Sequence, residues 1–211
     1  MKIAIFGGTG PTGQHLVEQA LEQGHEVRVL VRNPEKLKIR HERLELVQGD
    51  ARDAATVDRL IQSTDGVLSA LGHVRGGTND PQLLSTAAGL VIAAMKKHGV
   101  RRLIWLTGAG VPDPNDRPNL MNRLVKALLL MLARPLFEDS ERAVSAIRAS
   151  DLDWTLARAP RLTDAPAKGT IRVGYAGVGT GMTMSRADVA TFMLRQLQRS
   201  EWLHKAPMIS N

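Results

Sequence analysis

Residues 2–13 read KIAIFGGTGPTG, and this stretch decides the fold. Four apolar residues in succession, 3–6, are typical of a strand that is buried on both faces of a parallel sheet. A cluster of glycines follows, and after it an amphipathic pattern predicts a helix. A strand, a glycine turn and a helix in this order predict the first βα unit of a doubly wound sheet.

The same alternation continues along the chain. Strands are predicted at Lys2–Gly7, Glu26–Arg32, Leu44–Val47, Gly66–Leu71, Arg102–Thr107 and Trp154–Arg158. Helices are predicted at Thr12–Gln23, Ala54–Ser63, Gln82–His98, Leu120–Ala133, Glu138–Ala149 and Arg186–Arg199. The pattern predicts an α/β fold, with a doubly wound Rossmann-type parallel sheet and helices on both faces. At 211 residues, the chain fits a single domain, 1–211.

Composition narrows the class of function. The 28 Lys and Arg residues exceed the 21 Asp and Glu residues, giving a formal net charge of +7. The positive residues are scattered and aromatic residues are few, which favours an enzyme that attracts a polyanionic cofactor over a nucleic-acid-binding protein. The chain has no cysteine, which excludes disulfides and thiolate catalysis and indicates a reducing compartment, so we expect a cytoplasmic protein.

The glycine cluster predicts a phosphate-binding loop. It satisfies the pattern Gly8-x-Gly10-x-x-Gly13 between a predicted strand and a predicted helix. Glycines let the backbone turn sharply and approach a pyrophosphate, whose charge the free amides and the positive helix end stabilise. We therefore expect a dinucleotide at this turn.

The end of the second strand predicts which dinucleotide binds. Sites for NAD place an acidic residue there to hold the ribose hydroxyls, but this chain has Arg32. A guanidinium pairs with a 2′-phosphate, and Asn33 and Lys36 add donors nearby. The cofactor is therefore predicted to be NADP(H).

Further cofactor contacts follow from the fold, because the carboxyl ends of parallel strands share one edge. Asp50 and Ala51 are expected at the adenine, the segment ending at Gly72 at the adenosine ribose and pyrophosphate, and Thr107 at the nicotinamide ribose. The predicted cofactor-binding residues are Gly7, Thr9, Gly10, Pro11, Thr12, Gly13, Arg32, Asn33, Lys36, Asp50, Ala51, Leu71, Gly72, Thr107 and Gly108.

The chain resembles the atypical short-chain dehydrogenase/reductase family, and within it the biliverdin-IXβ reductase and flavin reductase group. The segments that carry the resemblance are KIAIFGGTGPTG, VRVLVRNPEKL, Gly49-Asp50, IAAMKKHGVRRLIWLTGAG and SRADVATFMLRQL. The resemblance implies NADPH bound across the carboxyl edge of the sheet. The chain departs from that group at Gly108, where the group has a serine, and at Arg161, where it has a histidine.

The acid–base pair of alcohol-oxidising short-chain dehydrogenases is missing. That pair is Tyr-x-x-x-Lys, whereas the only tyrosine here is Tyr175 and Gly179 takes the lysine position. The candidate catalytic residues are therefore His73, Thr107 and Arg161, with Arg161 placed to pair with an acceptor phosphate or carboxylate. The spacing of the histidines from carboxylates predicts no metal site.

Two regions are predicted to lie on the substrate side, 108–137 and 159–184. The first contains Leu120–Leu132, which is almost entirely apolar but shorter than the roughly 20 residues that span a bilayer. It fits a core helix, a dimer face, a lid over the substrate or a membrane-surface helix, and a core helix or a lid is favoured over the membrane-surface helix. Together with Pro112 and Arg161, this segment is expected to form an open apolar pocket.

These features predict an NADPH-dependent oxidoreductase that transfers hydride to a planar conjugated acceptor, namely a flavin, a quinone or a bilin. The alternative is an NADP(H)-binding redox sensor without turnover, and an epimerase of the extended family ranks last. The expected partner is a small-molecule acceptor. No nucleic acid and no stable membrane insertion are expected, and the chain is predicted to be a monomer or a homodimer.

Overall fold

The computed structural model describes residues 1–73, 80–117 and 120–211, without the side chains of 120–132. The strands are β1 (Lys2–Phe6), β2 (Glu26–Val31), β3 (Leu44–Gln48), β4 (Gly66–Ser69), β5 (Arg102–Gly108), β6 (Asp153–Ala159), β7 (Arg161–Thr163), β8 (Arg172–Gly174), β9 (Thr183–Ser185) and β10 (Met208–Ser210). The helices are α1 (Pro11–Glu22), α2 (Ala54–Ile61), α3 (Leu83–His98), α4 (Leu120–Arg148) and α5 (Arg186–Arg195), and a short 3₁₀ turn covers Pro34–Lys36.

The main sheet has eight strands in the order β3-β2-β1-β4-β5-β6-β10-β8. All neighbouring strands in it are parallel except β10 and β8, which are antiparallel. The order reverses between β1 and β4, and ligands of doubly wound sheets bind at the carboxyl ends of the strands beside such a reversal. The predicted Rossmann-type sheet is confirmed.

Helices cover both faces of this sheet, because alternate residues of each central strand point to opposite sides. Ile3 and Ile5 of β1 pack with α1 and α5, while Ala4 and Phe6 pack with α2, α3 and α4. All four side chains are fully buried. This two-sided burial explains the uninterrupted apolar run in the first strand.

The sequence pattern missed the strands after β6. No strand was predicted in the substrate-side region 159–184, but the structure has β7 and β8 within it. Strand β7 pairs with β9 in a separate two-stranded sheet, and β8 joins the edge of the main sheet through β10. Each of these strands has three residues, too few for a period-of-two pattern to be recognised.

The two helices predicted at Leu120–Ala133 and Glu138–Ala149 form one kinked element, α4. Ala133 has non-helical torsion angles of φ −145° and ψ 36°, two residues before Pro135. Proline removes a helical hydrogen bond and crowds the preceding turn, so it accounts for the kink. The predicted core or lid role of Leu120–Leu132 concerns side chains that lie outside the described part of the chain.

Candidate functional site

The glycine turn between β1 and α1 is a close-packed backbone structure. Gly7 has φ +75°, and its carbonyl oxygen accepts a 3.0 Å hydrogen bond from the Gly10 amide. A Cβ atom on Gly13 would lie 2.0 Å from the Gly7 carbonyl oxygen, and one on Gly8 would lie 2.4 Å from Val29 Cγ1. Larger residues at these positions would therefore force the strand, turn and helix apart.

The first turn of α1 is open to an anion. Gly10 is its N-cap residue, no side chain caps the helix, and Pro11 occupies the first helical position. The first turn also contains no acidic side chain. Because the first amides of a helix lack internal partners and carry a partial positive charge, those of Thr12 and Gly13 remain available to a phosphate.

Arg32 follows the carboxyl end of β2 and is exposed. Among the described residues it has no hydrogen-bond or ion-pair partner, so its guanidinium is free to bind a ligand. Asn33 Oδ1 is engaged, since it accepts a 3.0 Å bond from the Glu35 amide and thereby caps the 3₁₀ turn that carries Lys36. This cap fixes the turn beside Arg32. It leaves the side-chain nitrogen of Asn33, Nδ2, for a ligand.

Asp50 follows β3 and is bound by an arginine that the sequence analysis did not consider. Arg52 donates to Asp50 from its backbone amide, Nε and Nη2, each at 2.9 Å, and from Nη1 to Asp80 at 2.7 Å. The Arg52 guanidinium lowers the pKa of Asp50 to about 2. If Asp50 contacts an adenine amino group, it does so through a carboxylate that already accepts three hydrogen bonds. The adjacent residue, Ala51, is buried.

The chain after β4 carries Leu71, Gly72 and His73. A Cβ atom on Gly72 would meet no heavy atom of the described residues within 4 Å. The imidazole of His73 instead turns inward, with Nε2 at 3.4 Å from Asp139 Oδ2. Both its ring nitrogens are buried without a partner in hydrogen-bond geometry among the described residues.

Asp139 of α4 explains why His73 lies there. Its carboxylate is fully buried and accepts hydrogen bonds from the backbone amides of Leu84 and Ser85 at 2.8 and 3.1 Å, and from Ser85 Oγ at 2.5 Å. Asp139 therefore caps the first turn of α3 from a neighbouring helix. A capping residue 55 positions away in sequence from its helix gives no local sequence signal.

The remaining candidates follow β5 and β6. Thr107 and Gly108 are the last residues of β5, and a Cβ atom on Gly108 would meet no heavy atom within 4 Å in the part of the chain that the structure describes. Arg161 is exposed on β7, and its guanidinium has no hydrogen-bond or ion-pair partner in the described chain. Because β4, β5 and β6 are parallel neighbours, His73, Thr107 and Arg161 all follow strand ends at the same edge of the sheet.

The expected pocket at Pro112 differs in its lining. A pocket of about 260 Å³ has walls of Val111, Pro112, Glu141, Val144, Ser145 and Arg148. Arg161 is not part of it, because β7 lies with β9 whereas the pocket lies against α4. The contribution expected from the Leu120–Leu132 side chains lies outside the described residues. In the part of the chain that the structure covers, we found no helix able to cross a membrane.

Comparisons with known proteins agree with this geometry. The fold is shared by the oxidoreductase ylbE of Lactococcus lactis, with a TM-score of 0.82 at 18% identity, covering 100% of this chain and 91% of that one. A short-chain dehydrogenase/reductase of Veillonella parvula, solved in complex with NADP, has a TM-score of 0.80 at 17% identity and covers 100% and 94% of the two chains.

Among curated proteins, the chain is 30% identical over 156 residues to (4-alkanoyl-5-oxo-2,5-dihydrofuran-3-yl)methyl phosphate reductase of Streptomyces griseus. The match covers 74% of this chain and 46% of that reductase. The chain thus spans about half the length of the curated relatives it matches. A family model described as NAD(P)H-binding matches residues 7–200. The chain therefore belongs to this NAD(P)H-binding family.

Proposed function

We propose that this protein is an NADPH-dependent reductase that transfers hydride to a planar conjugated acceptor such as a flavin, a quinone or a bilin. The observation that carries the proposal is the combination of an uncapped first turn of α1 with an exposed, unpaired Arg32 at the end of β2. The first suits a pyrophosphate and the second a 2′-phosphate. Together they favour NADPH over NADH.

The residues present fit the cofactor along the carboxyl edge. In this proposal the glycine turn and the α1 amides hold the pyrophosphate, Arg32 with Asn33 and Lys36 holds the 2′-phosphate, and Asp50 and Ala51 border the adenine. Leu71, Gly72, Thr107 and Gly108 complete the site towards the nicotinamide. The space around Gly72 and Gly108 supports this placement, since no atom of the described residues lies within 4 Å of a Cβ built at either position.

When bound, NADPH would supply a hydride, and the acceptor would take its matching proton from solvent. A flavin or quinone needs little acid catalysis, because reduction places the charge on a conjugated system. The protein's contribution is therefore proximity and orientation. Burial of both His73 nitrogens against Asp139 supports this mechanism over one in which a side-chain acid is exposed to the acceptor.

On the acceptor side we propose 108–137 and 159–184 as the enclosing segments, with Arg161 as an anion-binding residue. Its guanidinium is exposed and unpaired within the described chain, which suits an acceptor phosphate. The Streptomyces griseus relative is a reductase of a phosphate ester by name. Flavin mononucleotide is therefore the acceptor that this feature favours over uncharged riboflavin.

A redox sensor is the second candidate. Its support is the same inward position of His73 and the absence of the Tyr-x-x-x-Lys pair, since tight binding without turnover needs neither. Oxidation of NADPH and NADH by the purified protein, measured with flavin mononucleotide, riboflavin, benzoquinone and biliverdin in turn, separates the two. Turnover that prefers NADPH supports the reductase. Tight NADPH binding without turnover on any acceptor would overturn it in favour of the sensor.

A further inference from the structure

Arg158 of β6 carries a fully buried guanidinium beside the acceptor segments. Nη1 and Nη2 each donate a 2.7 Å hydrogen bond to a different oxygen of Asp116, giving a bidentate ion pair. Nε donates to the Ala206 carbonyl oxygen at 2.7 Å, and Nη1 donates a second bond to the Val111 carbonyl oxygen at 2.9 Å. Every contact is charge-assisted and shielded from water, the setting in which such bonds are strongest.

Asp116 joins two segments that are far apart in sequence. It belongs to the β5–α4 loop, residues 109–117, and its carboxylate also accepts a 2.9 Å bond from the amide of Ala176. Arg117 returns a 2.8 Å bond from its amide to the Ala176 carbonyl oxygen. Ala176 lies in the β8–β9 turn, residues 175–182. One carboxylate therefore links the sheet, the loop and the turn.

The electrostatics favour the charged pair at neutral pH. Burial on its own would raise the pKa of Asp116, but hydrogen bonds from Arg158 and from the Ala176 and Asp113 amides outweigh it and lower the pKa. The carboxylate is 12% exposed, so solvent screens the pair only weakly. The link is therefore an ion pair in which each buried charge is stabilised by the other.

The pair lies beside the residues proposed to border the nicotinamide. Arg158 and Thr107 are register partners on β6 and β5. The next residues pair as well, and the Ala109 amide donates a 2.8 Å bond to the Ala159 carbonyl oxygen. The β5–α4 loop thus leaves the sheet at the candidate site and is anchored there.

We propose that Asp116 and Arg158 are positioning residues that hold the β5–α4 loop and the β8–β9 turn together as one wall of the acceptor site. The role in acceptor binding rests on the proposed reductase function, whereas the coupling of the two segments does not. Neither side chain contacts the cofactor-binding turn, so their loss acts on the acceptor and leaves NADPH binding in place.

Hydrogen–deuterium exchange of the full-length chain tests the coupling without any need for turnover. In Asp116→Asn we expect amides of both segments, 109–117 and 175–182, to exchange about tenfold faster, while those of residues 2–22 keep their rates. Glu45→Gln is the matched control, because Glu45 also forms a bidentate pair, with Arg28, on β2 and β3. We expect it to change neither segment.

Steady-state kinetics test the positioning role. We expect Asp116→Asn to raise KM for flavin mononucleotide about tenfold, with kcat within about threefold and the Kd of NADPH within about twofold, and Glu45→Gln to change none of them. If Asp116→Asn does not fold, Arg158→Lys keeps the charge but loses the bidentate fork, and the same pattern is expected at smaller amplitude.

Faster exchange in one segment alone would overturn the coupling. Faster exchange in both with an unchanged KM would overturn the positioning role, and absence of turnover in the unmodified protein would overturn the proposed function while leaving the exchange result valid.

Discussion

Around β1 and β2, two donor groups at the carboxyl edge have no hydrogen-bond partner in the described chain, whereas beside β5 and β6 a buried arginine and an aspartate bind each other. On the cofactor side, residues 7–13 and 32–36, the first turn of α1 is uncapped and Arg32 is unpaired. On the acceptor side, residues 108–117 and 159–184, the buried guanidinium of Arg158 is bound to Asp116. The first side is proposed to receive an anion, and on the second side a buried ion pair holds the protein's own loop.

The buried carboxylate of Asp188 extends this contrast. It accepts bonds from the amides of Lys168 and Gly169 at 2.8 and 3.1 Å, and from the side chains of Ser185 and Asn211. The acceptor-side chain therefore has a second anchor, next to the N-terminus of α5. Backbone geometry shapes the cofactor side, and buried polar side chains shape the acceptor side.

The largest effect is expected from Gly13→Ala, which tests whether the cofactor side depends on backbone contact. The new Cβ would meet the Gly7 carbonyl oxygen at 2.0 Å, so the turn must open. We expect NADPH affinity, measured by titration calorimetry, to fall about 100-fold, or about 2.7 kcal/mol. The control is Gly89→Ala in α3, where a Cβ meets nothing within 4 Å. Unchanged affinity in Gly13→Ala would remove the argument from close packing.

Asp139→Ala tests how much the buried carboxylate that caps α3 stabilises the fold. It leaves two amides at the start of α3 without their acceptor, and it removes the neighbour of His73. We expect the free energy of unfolding to fall by about 2 kcal/mol in urea denaturation. Glu138→Ala, at the adjacent half-buried position paired with exposed Arg134, should cost well under 1 kcal/mol. Equal losses for the two variants would contradict the capping role.

Arg32→Ala sharpens the cofactor assignment. Removal of the exposed guanidinium is expected to weaken NADPH binding about tenfold, or about 1.4 kcal/mol, and to leave NADH binding within about twofold. Fluorescence titration with each dinucleotide measures both values. Arg40→Ala, in the same region but with its guanidinium bonded to the Leu37 carbonyl oxygen, serves as the control for net charge. Equal losses for NADPH and NADH would remove the basis for the NADP preference.

Arg161→Gln tests the guanidinium that is proposed to bind the acceptor phosphate. We expect KM for flavin mononucleotide to rise about fivefold, or about 1 kcal/mol, because a charge-assisted bond to its phosphate is lost. KM for riboflavin, which lacks the phosphate, should stay unchanged. If both acceptors respond alike, Arg161 acts through the shape of the site and not through its charge.

The smallest effect concerns pH and the Asp50–Arg52 pair. The pKa of Asp50 is lowered to about 2, so the pair adds stability above the unfolded-state value of about 4 and loses it as pH falls towards 2. Because the pair is partly exposed, we expect about 1 kcal/mol. Urea unfolding between pH 5 and pH 2 should show a shallower acid loss in Asp50→Asn than in the unmodified chain. Parallel curves would mean that the pair contributes nothing.

The βα framework and the predicted cofactor side can both be recognised in the linear sequence. The apolar runs, the glycine turn and Arg32 lie within 31 consecutive residues, 2–32, so their relation to each other is written locally. The cap of α5 is likewise a local contact, since the Ser185 side chain accepts from the Asp188 amide three residues later. Periodicity, turn chemistry and capping depend on residues close together in the chain, so they can be recognised in the sequence.

The contacts on the proposed acceptor side, by contrast, are visible only in the tertiary structure. Asp116 meets Arg158 across 42 residues and Ala176 across 60, and Asp139 meets Leu84 across 55. The side-chain burial that makes these contacts strong exists only after the sheet has formed. The three-residue strands likewise form because neighbouring strands pair with them, and not because of a pattern in their own residues. Local sequence therefore predicts where the cofactor side lies, and long-range packing decides what holds the acceptor side in place.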